Sequence, residues 1–364
     1  VDLFGSGGSP IYNGQVATAT ANSGTYVASY TAENAKNFDL FVKFGGENIK
    51  GSPFSNTVKP AAQCGTKSSI QGTGLTAASI SPSKSAFTIQ ARDQYGNAKT
   101  QALTSAEFVV RVARTSGSGM QGTNGPPPFY GKTAISTSPT VHATFNTATN
   151  DGKYAGYYQI PSTPSPTGYT HYLYASYVTA GGVYATYYDS SATQTVGVPI
   201  NTNNLNVGTT AMTKSVTTAG LTAATWTTSN GDGPWGSGTT LKTSDDVYVV
   251  RYSGMYKPNS QTQMYFRWTS LDANRDRVKL WIDNKLIIEQ WISLANTSPS
   301  GTYLFDSSNG IYDFHTEIFR KAGGTTTPQF EDSTTTTFGT AIPTARLYLS
   351  DKVSGSPYAV TVST

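Results

Sequence analysis

The residues of this chain that could do chemistry are few and scattered. Its three histidines, His142, His171 and His315, stand in separate segments. None belongs to a His-x-x-x-His or Cys-x-x-Cys pattern, and no Gly-x-Ser-x-Gly elbow occurs. Neither a zinc centre nor a strand-to-helix nucleophile is therefore supported. His171 and His315 lie inside strand-like runs, where a histidine satisfied by its neighbours is the expectation. The adjacent pair Asp245-Asp246 opens a strand and reads as a solvated edge, whereas paired-carboxylate catalysis needs two carboxyls facing across a cleft. The single thiol, Cys64, cannot close a bridge within the chain. It is either a small buried hydrophobe or the partner of a cysteine in another molecule. These types and spacings give no catalytic residue and no cofactor site, and the chain is expected not to be an enzyme.

Other residues point to modification. Asn296-Thr297-Ser298 is an N-glycosylation acceptor, with Pro299 directly after it. Two short proline-rich loops carry Pro126, Pro127 and Pro128, then Pro164 and Pro166. They are expected to be extended as polyproline II and are candidate carriers of sugar on hydroxylated proline. The run "GGTTTPQFEDSTTTTFGT" (323–340) has the composition of an O-glycosylated loop. An unmodified surface loop is the alternative for each.

The elements that must position these residues are strands. Charged residues make up 13% of the 364-residue chain, against about 25% in an average domain. With 23 tyrosines, 36 glycines and abundant Ser and Thr, hydroxyls and phenols supply the polar surface, which favours extracellular or cell-surface β-structure. The net charge of +4 comes from singly scattered basic residues, so the clustered footprint of a nucleic-acid binder is missing. No apolar run approaches the ~18 residues of a membrane span. Short runs rich in Val, Thr, Tyr and Phe alternate with Gly, Asn, Asp and Pro, as in "FDLFVKF" (38–44), "FVVRVAR" (108–114) and "RVKLWID" (277–283). In the first of these, Phe38, Leu40, Val42 and Phe44 share one face, the period of a half-buried strand. The fold class is all-β, built from sandwiches.

Two windows end alike. Residues 23–54 read Gly-x-Tyr, strand, turn, aromatic, strand, Gly-Gly, then "GSPF". Residues 151–189 follow the same order but reach "GSPYAVTV" only at 355–362. An exposed hairpin tip accepts an inserted domain, so residues 181–350 are expected to interrupt the second copy, with strands near 171–177 and 356–362 paired directly. On these motifs, "SGTYVASYTAENAKNFDLFVKFGGENIKGSPFSNTVKP" (23–60) resembles the C-terminal half of a filamin-type immunoglobulin repeat. "SSIQGTGLTAASISPSKSAFTIQARDQYGNAKT" (68–100), with its Asp-x-x-Gly-Asn turn, resembles the N-terminal half of the next. The insertion is similar to the β-sandwich named after the anthrax toxin protective antigen. There an Arg-Tyr/Trp-x-Gly strand (here 251–254) leads to a hairpin whose turn is "IDNKL". An Asp-Asn pair at 283–284 suits a type I′ turn. Around it Trp281, Ile282, Ile288 and Trp291 are expected in the core.

The resemblance implies three segments: an incomplete repeat at 1–60, a second repeat at 61–180 with 351–364, and the inserted sandwich at 181–350. It implies a large secreted surface protein of an alga, other protist or microbe. Sugar-binding members of the inserted family hold calcium with two adjacent aspartates. The matching loop "SLDANRDR" (270–277) lacks the second adjacent aspartate; Asp272, Asn274 and Asp276 could still form a partial calcium cage, which Arg275 and Arg277 oppose. The first repeat begins near its middle strands, so a longer tandem chain or a neighbouring subunit is expected to complete it. The leading expectation is a structural subunit of an extracellular, glycosylated filament or surface coat, with a flagellar hair as one context and self-association into a polymer or tandem array. The alternatives are a glycan-binding adhesin module acting through the insertion, or an accessory region of a secreted glycoside hydrolase.

Overall fold

A computed structural model describes residues 2–5, 10–12, 18–19, 26–27, 29–101, 108–115, 141–145, 151–162, 170–190, 207–216, 221, 247–259, 262–283, 285–290, 296–321 and 326–363. The described residues form strands joined by turns, with only short 3-10 turns as helix. The fold is all-β, as the alternating runs require. No described helix is long and apolar enough to cross a membrane. The chain divides into two compact units. One comprises Val1–Gly72, Phe87–Ser105 and Phe145–Gly156; the other comprises Thr73–Ala86, Ala106–Thr144 and Tyr157–Thr364.

In the first unit the strand Asn37–Phe41 lies between Asp2–Gly5 and Phe54–Thr57, and Pro10–Tyr12 pairs with Asp2–Gly5. One side of the central strand is polar: Asp39 accepts from Ser55 Oγ (2.8 Å) and Asn37 from Thr57 Oγ1 (2.8 Å). Along the apolar side burial declines: Phe38 is buried, Leu40 and Val42 are half-buried, and Phe44 is 75% exposed. The Asp-x-x-Gly-Asn turn is the node of this unit. Asp93 is fully buried and accepts the backbone N–H of Ala61 (2.9 Å), Tyr95 (3.0 Å) and Asn97 (2.9 Å), together with Asn97 Nδ2 (2.9 Å). Asn97 in turn accepts Ala35 N–H (3.0 Å) and donates to the Glu33 carbonyl (2.6 Å). Burial alone would raise the Asp93 pKa; these donors more than reverse it and hold it below its ordinary value.

The second unit contains one long sheet. Strand Thr170–Ala180 pairs along one side with Phe108–Thr115. Its other side is shared: His171–Leu173 meet Tyr358–Val360, and Ser176–Ala180 meet Tyr348–Lys352. The pairing that the split ending requires is thus present. The sheet continues through Val247–Tyr256, Tyr312–Lys321, Asp276–Ile282 and Lys285–Gln290. A second sheet places Gln263–Thr269 between Ser300–Leu304 and Gln329–Ser333. Met264, Phe266, Trp268 and Phe330 from this sheet close on Val250, Tyr252, Leu280 and Ile318 from the long one, forming a continuous buried core.

The echoed endings are built alike. Ser52 Oγ accepts Val42 N–H at 2.9 Å, and Ser356 Oγ accepts Ala175 N–H at 2.9 Å. Gly51 (φ +90°) and Gly355 (φ +84°) take left-handed backbone that glycine adopts without strain. The aromatic three positions on lies against the glycine: a Cβ on Gly51 would touch the Phe54 ring at 3.5 Å, and one on Gly355 would overlap the Tyr358 hydroxyl. The Arg-Tyr-Ser-Gly strand has a similar reason for its glycine. Beside Gly254 the neighbouring strand changes from Val183–Ser190 to Leu347–Lys352, and a Cβ there would overlap the Tyr348 carbonyl and stand 2.8 Å from Val183 Cγ1.

Candidate functional site

Three groupings of polar side chains and one surface face stand out in the sandwich. The first lies on the face of the long sheet turned away from the core. Ser253 Oγ is 3.2 Å from His315 Nδ1, His315 Nε2 is 3.3 Å from Glu317 Oε1, and Arg251 Nε donates to Glu317 at 2.9 Å. Alternation places them, because Ser253 is opposite His315 and Arg251 opposite Glu317 across one strand pair. Serine, histidine and carboxylate is the composition of a nucleophilic triad. Here, however, the serine is 3% exposed, and the carboxylate is already neutralised by a guanidinium. Burial alone would raise Glu317; Arg251 and His315 hold it down at about 2. Burial pushes His315 below the usual imidazole range, against the pull of Glu317. A carboxylate engaged by arginine is a poor stabiliser of an imidazolium, so the geometry suits a structural network.

The second grouping is the 270–277 loop. Asp272 accepts Asn274 N–H (2.9 Å) and faces Arg275 (3.4 Å). Asp276 accepts Asp272 N–H (2.8 Å) and Arg320 Nε (2.9 Å). Burial raises the Asp276 pKa, with Arg320 opposing. The carboxylates of the calcium candidates are thus bound to donors, and the guanidinium that occupies Asp276 comes from a strand 44 residues away. Arg277, expected to oppose a cation, instead donates to the carbonyls of Ala273 (3.0 Å) and Asp276 (2.6 Å).

The third grouping surrounds the 283 turn. Asp283 takes φ +47°, as a type I′ turn requires. Its carboxylate is 3.1 Å from His142 Nε2 and accepts Tyr303 OH at 3.1 Å. Its N–H donates to the Asp313 carbonyl at 2.8 Å. The Asp313 carboxylate pairs with Arg111, which is fully buried. Of the hairpin's apolar residues, Ile282 and Ile288 are in the core, whereas Trp281 is half-buried with its ring 5.0 Å from His315. Trp291 lies outside the described residues.

The surface face belongs to the three-stranded sheet. Tyr265 stands in a row with Thr302 and Ser333, and Arg267 in the next row with Ser300 and Glu331. Gln263 Nε2 reaches Tyr265 OH at 3.4 Å. Arg267 pairs with Glu331 and lies 4.4 Å from the Phe338 ring centroid. Gln263, Thr302 and Ser300 are exposed, and Tyr265 and Arg267 half-exposed. Sequence reading passed over this face, although the alternation in "QMYFRWT" was enough to separate Tyr265 and Arg267 from buried Met264, Phe266 and Trp268.

Among the remaining expected site residues, Asn296 is exposed, and its Oδ1 accepts Ser298 N–H at 2.8 Å. Cys64 is half-buried, with Sγ 3.2 Å from Thr66 Oγ1. His171 is buried within its strand. Pro126, Pro127, Pro128, Pro164, Pro166 and the Asp245-Asp246 pair lie outside the described residues. No group of three or more His, Cys, Asp or Glu among the described residues is arranged to hold a metal ion.

No known family and no curated protein matches the chain. Solved structures give partial likenesses. The PA14 domain of the MpAFP antifreeze protein is 11% identical, with a TM-score of 0.34 over 47% of this chain and 92% of its own. The epithelial adhesin 9 A domain of Candida glabrata, solved with Galb1-4GlcNAc, is 12% identical, with a TM-score of 0.34 over 49% and 93%. A PA14 sugar-binding domain from an RTX adhesin is 12% identical, with a TM-score of 0.30 over 44% and 95%.

Proposed function

We propose that this chain is a non-catalytic module of an extracellular or cell-surface protein, and that its sandwich contacts glycans through the outer face of the three-stranded sheet. The carrying observation is the division of labour among polar groups. The reactive combinations are bound to one another, while Tyr265 stands half-exposed among Gln263, Thr302 and Ser333. A phenol ring offers its face to the C–H side of a sugar, and flanking amide and hydroxyl groups exchange hydrogen bonds with its hydroxyls. Because the 270–277 carboxylates are engaged by their own donors, this contact works without calcium. A glycan array probed with and without a chelator tests the reading. Binding is expected to be unaffected by chelator and reduced in Tyr265→Ala; an array that the folded protein leaves blank overturns it.

A structural subunit of a filament or coat is the second reading, and one observation favours it. Among the described residues, the exposed large hydrophobics Tyr26, Val27, Tyr30, Phe44, Ile49, Phe54 and Tyr95 fall within the first unit, and Leu304 falls in the second. Such surface suits burial against other chains. Electron microscopy of the native particle separates the two readings: a regular filament supports this one, and isolated monomers refute it.

A further inference from the structure

The cluster around the 283 turn joins distant parts of the chain through titratable groups, and none of them is used by the proposed glycan face. His142 belongs to the two-residue strand Val141–His142, which pairs with Phe108–Thr115 only at Arg111↔His142 and Val112↔Val141. Beyond that register it is tied by Ala143 N–H to the Val110 carbonyl (2.9 Å) and by its own ring to Asp283 (3.1 Å). Among these tethers between described residues, the His142–Asp283 contact is the one that titrates. The ring also lies edge-on to Tyr312, with centroids 4.8 Å apart.

We propose that His142 is a pH-operated latch that holds the Val141–His142 strand on the Asp283 turn under acidic conditions and releases it as the imidazole loses its proton. The charges make this a switch. Arg111 and His142 face Asp283 and Asp313 in one buried cluster, and as its protons leave with rising pH, negative charge accumulates among buried groups. The other groups around it are accounted for from each packed element. Tyr303 donates to Asp283 from Ser300–Leu304, with Asp306 following that strand. Tyr172 and Tyr174 lie on Thr170–Ala180, and the Tyr174 ring faces Arg111 at 5.7 Å. Burial pushes the Tyr174, Tyr303 and Tyr312 phenols up, away from the physiological range.

Proton affinities act in the same direction. Burial alone would lower the His142 pKa; the charge and hydrogen bond of Asp283 reverse this and leave it raised, with Arg111 opposing and Asp313 assisting. Burial, aided by the Asp283 charge, pushes Asp313 up to about 7 against Arg111 and His142. Both groups hold protons more tightly in the folded cluster than in an open chain, so the latch weakens as pH rises, and the pair titrates as one coupled set. The side chain of His142 is 22% exposed, which gives the proton a route to solvent. Once the strand lifts, Phe108–Thr115 keeps its ladder with Thr170–Ala180 and loses the one described on its other side, opening an edge able to pair with another chain.

Hydrogen–deuterium exchange at about pH 5.5 and about pH 8, corrected for intrinsic rates, reads the latch at the Ala143 amide. Protection is expected to fall by up to about tenfold for each pKa unit by which the closed latch raises the histidine above its value in the released strand. His142→Gln, which cannot be protonated, should lose most of this change, leaving only what the Asp313 titration contributes. Equal protection in the native protein, or a pH dependence undiminished in His142→Gln, overturns the proposal. Should that variant fail to fold, the native protein still decides the matter. It has three histidines, and NMR titration must find His142 above its ordinary value; a value at or below it refutes the latch.

Discussion

Replacing Asp93 by alanine removes the acceptor of three backbone N–H groups and one side-chain amide at a fully buried site. A fully buried donor left without a partner costs about 1–3 kcal/mol, and the donors here are part-buried. Partial rescue by water lowers the sum, so about 3–6 kcal/mol is expected, comparable with the ~5–15 kcal/mol net stability of a whole domain. The loss should be local. All five tryptophans, Trp226, Trp235, Trp268, Trp281 and Trp291, fall within the second unit, whereas Asp93 lies in the first. Urea unfolding followed by two probes therefore separates the units. Far-UV circular dichroism should gain an early transition in Asp93→Ala, while the tryptophan fluorescence midpoint stays where it was. Asp93→Asn keeps the volume and one acceptor oxygen but points an amide at other donors, so a smaller loss of about 1–2 kcal/mol is expected. The low pKa of Asp93 adds a pH signature: its stabilisation is present above the ordinary carboxylate value and disappears as pH falls through the lowered one. An unchanged dichroism curve, or tryptophan and dichroism transitions that move together, would refute the assignment of this turn as the node of the first unit.

Three further outcomes are expected. Glu317→Gln should cost about 2–4 kcal/mol in chemical denaturation, because Arg251 then loses its charge partner; in the native protein this stabilisation is present above pH 4.5 and fades as pH falls towards about 2. Gly254→Ala should lower stability by about 1–3 kcal/mol, measured by tryptophan fluorescence, because its Cβ meets Tyr348 backbone and the Val183 side chain. Calcium should leave the melting temperature unchanged; a bound ion at a hundred times its Kd would add about 2.7 kcal/mol and raise the melting temperature by about 5–10 °C.

Local periodicity and turn chemistry determined much of this protein without help from tertiary structure. Alternation marks the strands because side chains on a pleated chain face opposite sides by turns, and it separates Met264, Phe266 and Trp268 from Tyr265 and Arg267. The echoed Gly-Ser-Pro-aromatic endings are legible because left-handed glycine acts within its own turn, although Ser52 finds its donor 10 residues away and Ser356 finds its donor 181 residues away. The Asp-x-x-Gly-Asn turn is legible for the same reason. Alternation could not tell which apolar positions would be covered. Phe38 and Phe44 share a face by period, yet one is buried and the other 75% exposed, because coverage comes from other segments. Trp281 was expected in the core with Ile282 and Ile288, but neighbours on a strand point to opposite faces, and the tryptophan stands on the histidine side. Partners far along the chain were decided only by the fold. Arg320 reaches Asp276 across 44 residues and His142 reaches Asp283 across 141, and neither spacing leaves a pattern in sequence. Pairs such as these have a geometry that exists only once the strands that carry them have found their register.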